Sequence, residues 1–447
     1  MTDLARDPAK PHEDAKGAVV PDRWRQLPLL GGTMLIDSAE SGLISGLFPV
    51  IRQALGLSLG ALGVLGAAGK LIGVITAPLW VWLAHRWSRK GVLIVSTGLW
   101  GVWGVAAGFA QNFTQLLILT TVLAAGYAAA QPIVTEIIGD LFDTPSRGRA
   151  VGLLYGGVAL TSAIVAALKG QLAGFDDGWR WGLWGIGIFN ILFSLVLWLW
   201  LRDPGHGAAE PQLADLAPKA RRATASVTRA QIAALLKIRT FQLLLISRLM
   251  SGHLVGAAFA VVFLVDVHGF TTQAASVILL PLGIGYFAGT VLGGLVADWA
   301  SRRSPRYGLP AVLQTAQIAF AVLAYFGTQF DYGSLALFAV FFALMGTAQG
   351  VNPGVNRPMV MAVTPPELRG AAFTVYGSIA EAIAWAVFSL GAGYLGDTIG
   401  LRAVFLWVLV VLMLANGAFL TLLYRPYADD VLHAQQELDQ RRSSALS

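Results

Sequence analysis

The apolar residues of this chain neither alternate with polar ones nor mark a single stripe of a helix. They come in long runs broken by short clusters of charge, glycine and proline. A helix needs about 20 apolar residues to cross a hydrocarbon layer of about 30 Å. Twelve runs meet that length: Leu27–Val50, Leu59–Leu83, Gly91–Ala110, Phe113–Leu141, Ala150–Ala173, Gly182–Leu201, Thr240–Val265, Gln273–Trp299, Leu309–Thr328, Tyr332–Met361, Gly370–Gly396 and Ala403–Leu423. The pattern predicts an all-α membrane protein with twelve transmembrane helices. The longest break, Arg202 to Arg239, is rich in alanine, proline and charge, and suits a tether between two six-helix halves at 27–201 and 240–423, flanked by tails at 1–26 and 424–447. Within it, Thr228–Phe241 can form a short amphipathic helix that lays Ile232, Leu235 and Leu236 on the membrane and points Arg229, Lys237 and Arg239 outward.

Composition narrows the function classes. With 56% hydrophobic and 13% charged residues, the 447-residue chain has too few charges to cover a soluble protein of its size; its mean hydropathy is +0.65. The absence of cysteine removes disulfides, thiolate metal sites and cysteine nucleophiles. No phosphate loop, metal-spaced histidine pair or nucleophile elbow is present, so neither an enzyme nor a cofactor is expected. The net charge of +6 does not point to nucleic acid, because the basic residues lie in short connections between apolar runs. Arg86, Arg89, Lys90, Arg147, Arg149, Arg302, Arg303 and Arg306 fall in even-numbered connections, whereas the odd-numbered ones hold only Arg52, Arg180 and Arg402. Both termini are therefore expected in the cytoplasm. Residues 1–26 lack the apolar core of a signal peptide and are expected to form a cytoplasmic tail. The expected setting is a bacterial inner membrane, and the expected state a monomer.

The two halves repeat. Ala84-His85-Arg86-Trp87-Ser88-Arg89-Lys90 follows the second span, and Ala297-Asp298-Trp299-Ala300-Ser301-Arg302-Arg303 follows the eighth, at an offset of 213 residues. Gly126 through Thr144-Pro145 to Tyr155-Gly156 matches Gly346 through Thr364-Pro365 to Tyr376-Gly377 at 220 to 221 residues. Two similar halves in parallel orientation follow.

Gly294-Leu295-Val296-Ala297-Asp298 followed by Ser301-Arg302-Arg303 resembles the loop signature of the major facilitator superfamily. The first-half copy departs from it, with Val81 in place of the glycine and His85 in place of the aspartate. Within the superfamily, Glu136 to Phe142, Arg147-Gly148-Arg149-Ala150, Tyr155-Gly156-Gly157, Trp179-Arg180-Trp181 and Leu201-Arg202-Asp203-Pro204 are similar to the spinster branch; the arginine that branch tends to carry in the fourth span is missing here. The resemblance implies the twelve-helix transporter fold, with gating groups at His85, Arg89, Lys90, Asp298, Arg302 and Arg303, and lysophospholipids or related amphiphilic lipids as substrates. Because Asp298 keeps its aspartate, closure of the cytoplasmic side is expected to depend more on it than on His85.

A charge inside a bilayer costs several kcal/mol unless it is paired or faces a wet cavity. The third, sixth, ninth and twelfth spans contain no charged residue; the others carry Asp37, Glu40, Lys70, Glu136, Asp140, Lys169, Arg248, His253, Arg357 and Glu381. Every third helix is thus expected to face lipid while the rest surround a cavity. Asp37 and Glu40, three residues apart, share a helix face near the midplane. Two carboxylates so close in low dielectric cannot both ionise cheaply, so one can carry a proton. Either they couple proton movement, or Asp37 neutralises Arg248. His253, 213 residues after Glu40, is its repeat equivalent and with Glu381 forms a second candidate proton site. Arg248 is the candidate holder of an anionic head group. Glu136, the amides Gln131 and Asn352 beside Pro132 and Pro353, and the deep Trp385 complete the candidate substrate site.

The expected function is proton-coupled secondary active transport of such lipids by alternating access. A carrier of small organic anions or drugs is the alternative, and a non-transporting membrane receptor or an intramembrane hydrolase stands further off.

Overall fold

Each long apolar run forms a helix, because every backbone N–H and C=O in hydrocarbon must find its partner within the segment. The structure is a computed structural model that describes residues 22–142, 144–205, 229–365 and 368–446. Its twelve helices long and apolar enough to span a membrane are α1 (Arg23–Leu55), α2 (Leu59–Arg86), α3 (Arg89–Ala107), α4 (Phe113–Leu141), α5 (Arg149–Gly174), α6 (Gly178–Trp200), α7 (Arg239–His268), α8 (Thr272–Arg303), α9 (Gly308–Gln329), α10 (Leu335–Val363), α11 (Ala371–Ile399) and α12 (Leu401–Gln436). The end of the bundle that carries Arg86, Arg89, Arg302 and Arg303 is termed the basic end, and the opposite end the far end.

Two deviations from the expected elements have local causes. The last helix does not stop at Leu423: helical structure continues over Tyr424–Leu446. Tyr427 is buried, and Asp430 Oδ2 accepts 2.7 Å from the Thr240 N–H at the start of α7. The short helix expected in the tether spans Arg229–Leu235. Leu235 is buried in the second half's core with Phe241 and Leu244, so the helix rests on protein at this residue while Leu236 faces outward. Thr228 and the Ile232 side chain lie outside the description.

One break follows from a proline. Pro132 has no N–H for the Ala128 carbonyl, and α4 is interrupted between Tyr127 and Ala130. Pro353 leaves the Gln349 carbonyl in the same position within a continuous α10, and Asn352 Nδ2 donates to that carbonyl at 3.0 Å. The α7 helix breaks between Leu249 and His253. Wide π-turns lie at Ile94–Leu99 in α3 and Thr374–Ile379 in α11, a feature that often marks functional positions.

The core is joined at one end and split at the other. Towards the far end one cluster unites Leu47, Phe48 and Leu62 of the first half with Phe259, Phe263 and Phe405 of the second. Towards the basic end there are two clusters: one around Ile133, Ile137 and Phe142, the other around Phe241, Met359 and Tyr376. The halves are sealed together at the far end and parted at the basic end, which leaves a cleft open to the basic side.

Candidate functional site

Three seams close the cleft at the far end. At α1/α7, Arg52 pairs with Asp266. At α2/α11, the Asp397 carboxylate accepts from the Leu59 and Gly60 N–H groups, both at 2.8 Å. Ser58, the residue that starts α2, makes no side-chain cap of its own, so a residue of the other half supplies the cap. Gly63 lets the backbones meet there, since a Cβ would strike the Ser389 carbonyl. At α5/α8, Gln171 Nε2 donates 3.3 Å to the Gln273 carbonyl.

The Asp397 cap is expected to outweigh the ion pair. Losing an N-cap costs about 0.5–2 kcal/mol, whereas a partly exposed pair is worth about 0–1 kcal/mol. Asp397→Ala should therefore open the far end more than Arg52→Ala does. Spin-label distances between the far ends of α2 and α11 measure this, and equal shifts in the two variants contradict it.

Asp37 and Glu40 are both buried in α1, as their spacing suggested, but their surroundings differ. Glu40 Oε1 accepts from Asn190 Nδ2 of α6. Asp37 has the Thr97 hydroxyl, on the α3 π-turn, as its neighbouring donor, and no cation pairs with it among the described residues. Asp37 does not pair with Arg248. That guanidinium instead meets Glu381 of α11, within its own half, and lies 5.8 Å from the Tyr376 ring on the α11 π-turn. His253, beyond the break in α7, is buried with its ring 5.9 Å from Phe320 and Nδ1 unpartnered; no hydrogen bond joins it to Glu381 among the described residues.

Two cations outside the candidate site residues, Lys70 and Arg357, lie beside this centre. Lys70 of α2 is exposed, and its Nζ stands 4.9 Å from the Trp385 ring across the seam. Arg357 of α10 is exposed as well, and Tyr286 of α8 lies among the charges of Glu381, Arg357 and Arg248. Neither Lys70 nor Arg357 makes an ion pair among the described residues. Lys169 Nζ donates 2.7 Å to the carbonyl of Ala39, the residue before Glu40 in the chain. Gln131 is exposed on α4. The Asn352 amide is engaged on both sides, by the Gln349 carbonyl and by Gln317 Nε2 at 2.7 Å.

Glu136 belongs to a charge cluster at the basic end of the first half. The fully buried Arg89 binds Asp140 and Asp203 and stands 3.6 Å from Glu136; His85 Nε2 reaches both Glu136 oxygens at 3.0 and 3.1 Å. Lys90 Nζ donates 2.7 Å to the Trp198 carbonyl. In the second half Asp298, Arg302 and Arg303 are exposed, and Asp298 makes no ion pair in this open arrangement among the described residues. Arg89→Ala leaves several carboxylates without their cation and should cost about 3–5 kcal/mol. His85→Asn, at a partly exposed position, should cost far less. Thermal unfolding in detergent ranks the two, and the reverse order contradicts the assignment.

Sequence reasoning could not find Asp397, Asn190 or Asp203 as partners, because each acts on a helix remote in the chain. The Lys70–Trp385 contact had a signal, an isolated mid-helix lysine, but not its partner.

A family model described as Major Facilitator Superfamily matches residues 30–326 and 302–446. Protein spinster of Drosophila melanogaster is 25% identical over 201 residues, 43% of this chain and 33% of that protein. The 3-(3-hydroxy-phenyl)propionate transporter of Escherichia coli K12 is 28% identical over 264 residues, 59% of this chain and 61% of that one. The matched stretches thus span between a third and three fifths of these relatives. A bacterial homologue of the human lysosomal transporter Spinster, solved inward-facing and unoccupied, superposes with a TM-score of 0.74 at 21% identity, covering 93% of this chain and 98% of that one. A D-xylose–proton symporter gives 0.68 at 16% identity, covering 88% and 96%.

Proposed function

This chain belongs to the Major Facilitator Superfamily, and we propose that it is a proton-coupled, spinster-like carrier of amphiphilic anions, lysophospholipids and related lipids first, working by alternating access. The observation that carries the substrate reading is the excess of cations around the cleft. Arg248 has a carboxylate partner, whereas Lys70 and Arg357 have none among the described residues. Cations at membrane depth persist when they face water or a counter-ion, and an anionic head group supplies the counter-ion. The open basic end is read as the cytoplasmic side, from the distribution of arginine and lysine.

Glu381 supports competition for the guanidinium, and the buried Asp37 supports proton coupling. Glu381 occupies Arg248, so a substrate anion competes with this carboxylate for the guanidinium. An ionised Asp37 with no cation beside it costs several kcal/mol at this depth. An arrangement that brings the carboxylate to water removes that cost. Such a difference between two states is what lets a proton shift their equilibrium.

A second reading is a small aromatic acid, favoured by the aromatic-acid transporters among the relatives and by the Trp385, Tyr376 and Tyr286 rings beside the cations. Purified protein in liposomes, given labelled lysophospholipid and labelled 4-hydroxybenzoate under an imposed pH gradient, separates the two. Movement of the lysolipid is expected. Movement of the aromatic acid alone overturns the lipid assignment and leaves the carrier in place.

A further inference from the structure

On the outer surface of the second half, away from the cleft, a groove of about 640 Å³ runs between α8, α9 and α10. Its walls are apolar, formed by Val296, Leu344 and Leu323 and by small α9 side chains at four-residue spacing, Ala311, Thr315 and Ala319. Four-residue spacing keeps these on one helix face, so a shallow channel lies along α9 instead of a ridge. At the basic end its rim is Trp299 and Arg303, both exposed, with Arg303 making no ion pair among the described residues. Arg302 and Arg306 lie exposed on the same connection.

We propose that this groove is a binding site for an anionic membrane phospholipid, one acyl chain lying along α9 and the phosphate on Arg303. Length supports it. The lining runs from Gly308 to Leu323 of α9, fifteen helical steps or about 22 Å at about 1.5 Å per residue. Half of the hydrocarbon layer is about 15 Å, so a chain anchored at the rim is covered beyond the midplane. Charge complementarity selects the head group. Three arginines cluster within Arg302–Arg306 beside an interfacial tryptophan, the combination that draws anionic lipid to a membrane surface. The site is independent of the transported substrate, because its lining residues face outward from the second half and include none of the cleft charges.

The test reconstitutes the full chain in nanodiscs of phosphatidylcholine doped with phosphatidylglycerol bearing a photoreactive acyl chain, and maps cross-links by peptide mass spectrometry. Cross-links concentrated on Ala311–Leu323 and on the facing part of α10 are expected. Ala319→Trp, which fills the channel, should lower them to the level found on other helices. Arg303→Gln, an exposed change, should erase the preference for phosphatidylglycerol over a photoreactive phosphatidylcholine while chain labelling remains. Labelling spread evenly around the bundle, or unchanged preference in Arg303→Gln, overturns the proposal. So do protein–protein cross-links between α9 helices, which would make the groove a contact between two copies, and displacement by lysolipid alone, which would make it a substrate site.

Discussion

The double variant Asp37→Asn with Glu40→Gln should abolish uphill accumulation while leaving exchange of substrate across the membrane. One pH unit is worth about 1.4 kcal/mol per proton, a factor of about ten in concentration, and that factor should fall to one. The two sites will not contribute alike. Glu40 Oε1 accepts from Asn190 Nδ2, and a Gln oxygen at this position can still accept, so Glu40→Gln keeps the α1–α6 contact. At the buried Asp37 the amide brings two N–H groups that need acceptors, at about 1–3 kcal/mol if unmet. Single-variant flux with a pH clamp on both sides checks the division. Undiminished accumulation in the double variant would move the coupling to Glu381.

Arg248→Ala should remove binding of anionic substrates at every pH, and Glu381→Gln should tighten it. A hydrogen bond to a charged group is worth about 1.5–3 kcal/mol, so the loss is about 10- to 150-fold in Kd. The opposite sign for Glu381→Gln follows from competition, because this carboxylate holds the guanidinium that the substrate needs. Calorimetric titration of both variants decides the matter, since a purely structural ion pair predicts that each change weakens binding through a loosened α7–α11 contact. Weakening in both would leave Arg248 without its role.

The twelve spans were legible because bilayer thickness imposes one length on every crossing, and the predicted fourth span coincides with α4, Phe113–Leu141. The charge-free third, sixth, ninth and twelfth spans pointed to the same fold. Pairing was not legible. Arg248 finds Glu381 133 residues away in its own half, where the sequence offered Asp37 as the alternative. His85 stands where an aspartate would, yet Glu136 from α4 receives it. Asn352, read as a cavity amide from its place beside Pro353, instead repairs the bond that Pro353 leaves open. Repeats and periodicity carry information about faces and depths. They carry none about which side chain on one helix meets which on another, and that is where the chemistry lies.

The most direct test of proton-coupled anion transport is to load liposomes containing the protein with a pH-sensitive dye, impose no gradient, and add lysophospholipid outside. Coupled transport predicts a change in lumenal pH that begins with substrate addition and vanishes in Asp37→Asn with Glu40→Gln. Substrate that enters while the lumenal pH stays flat would contradict it.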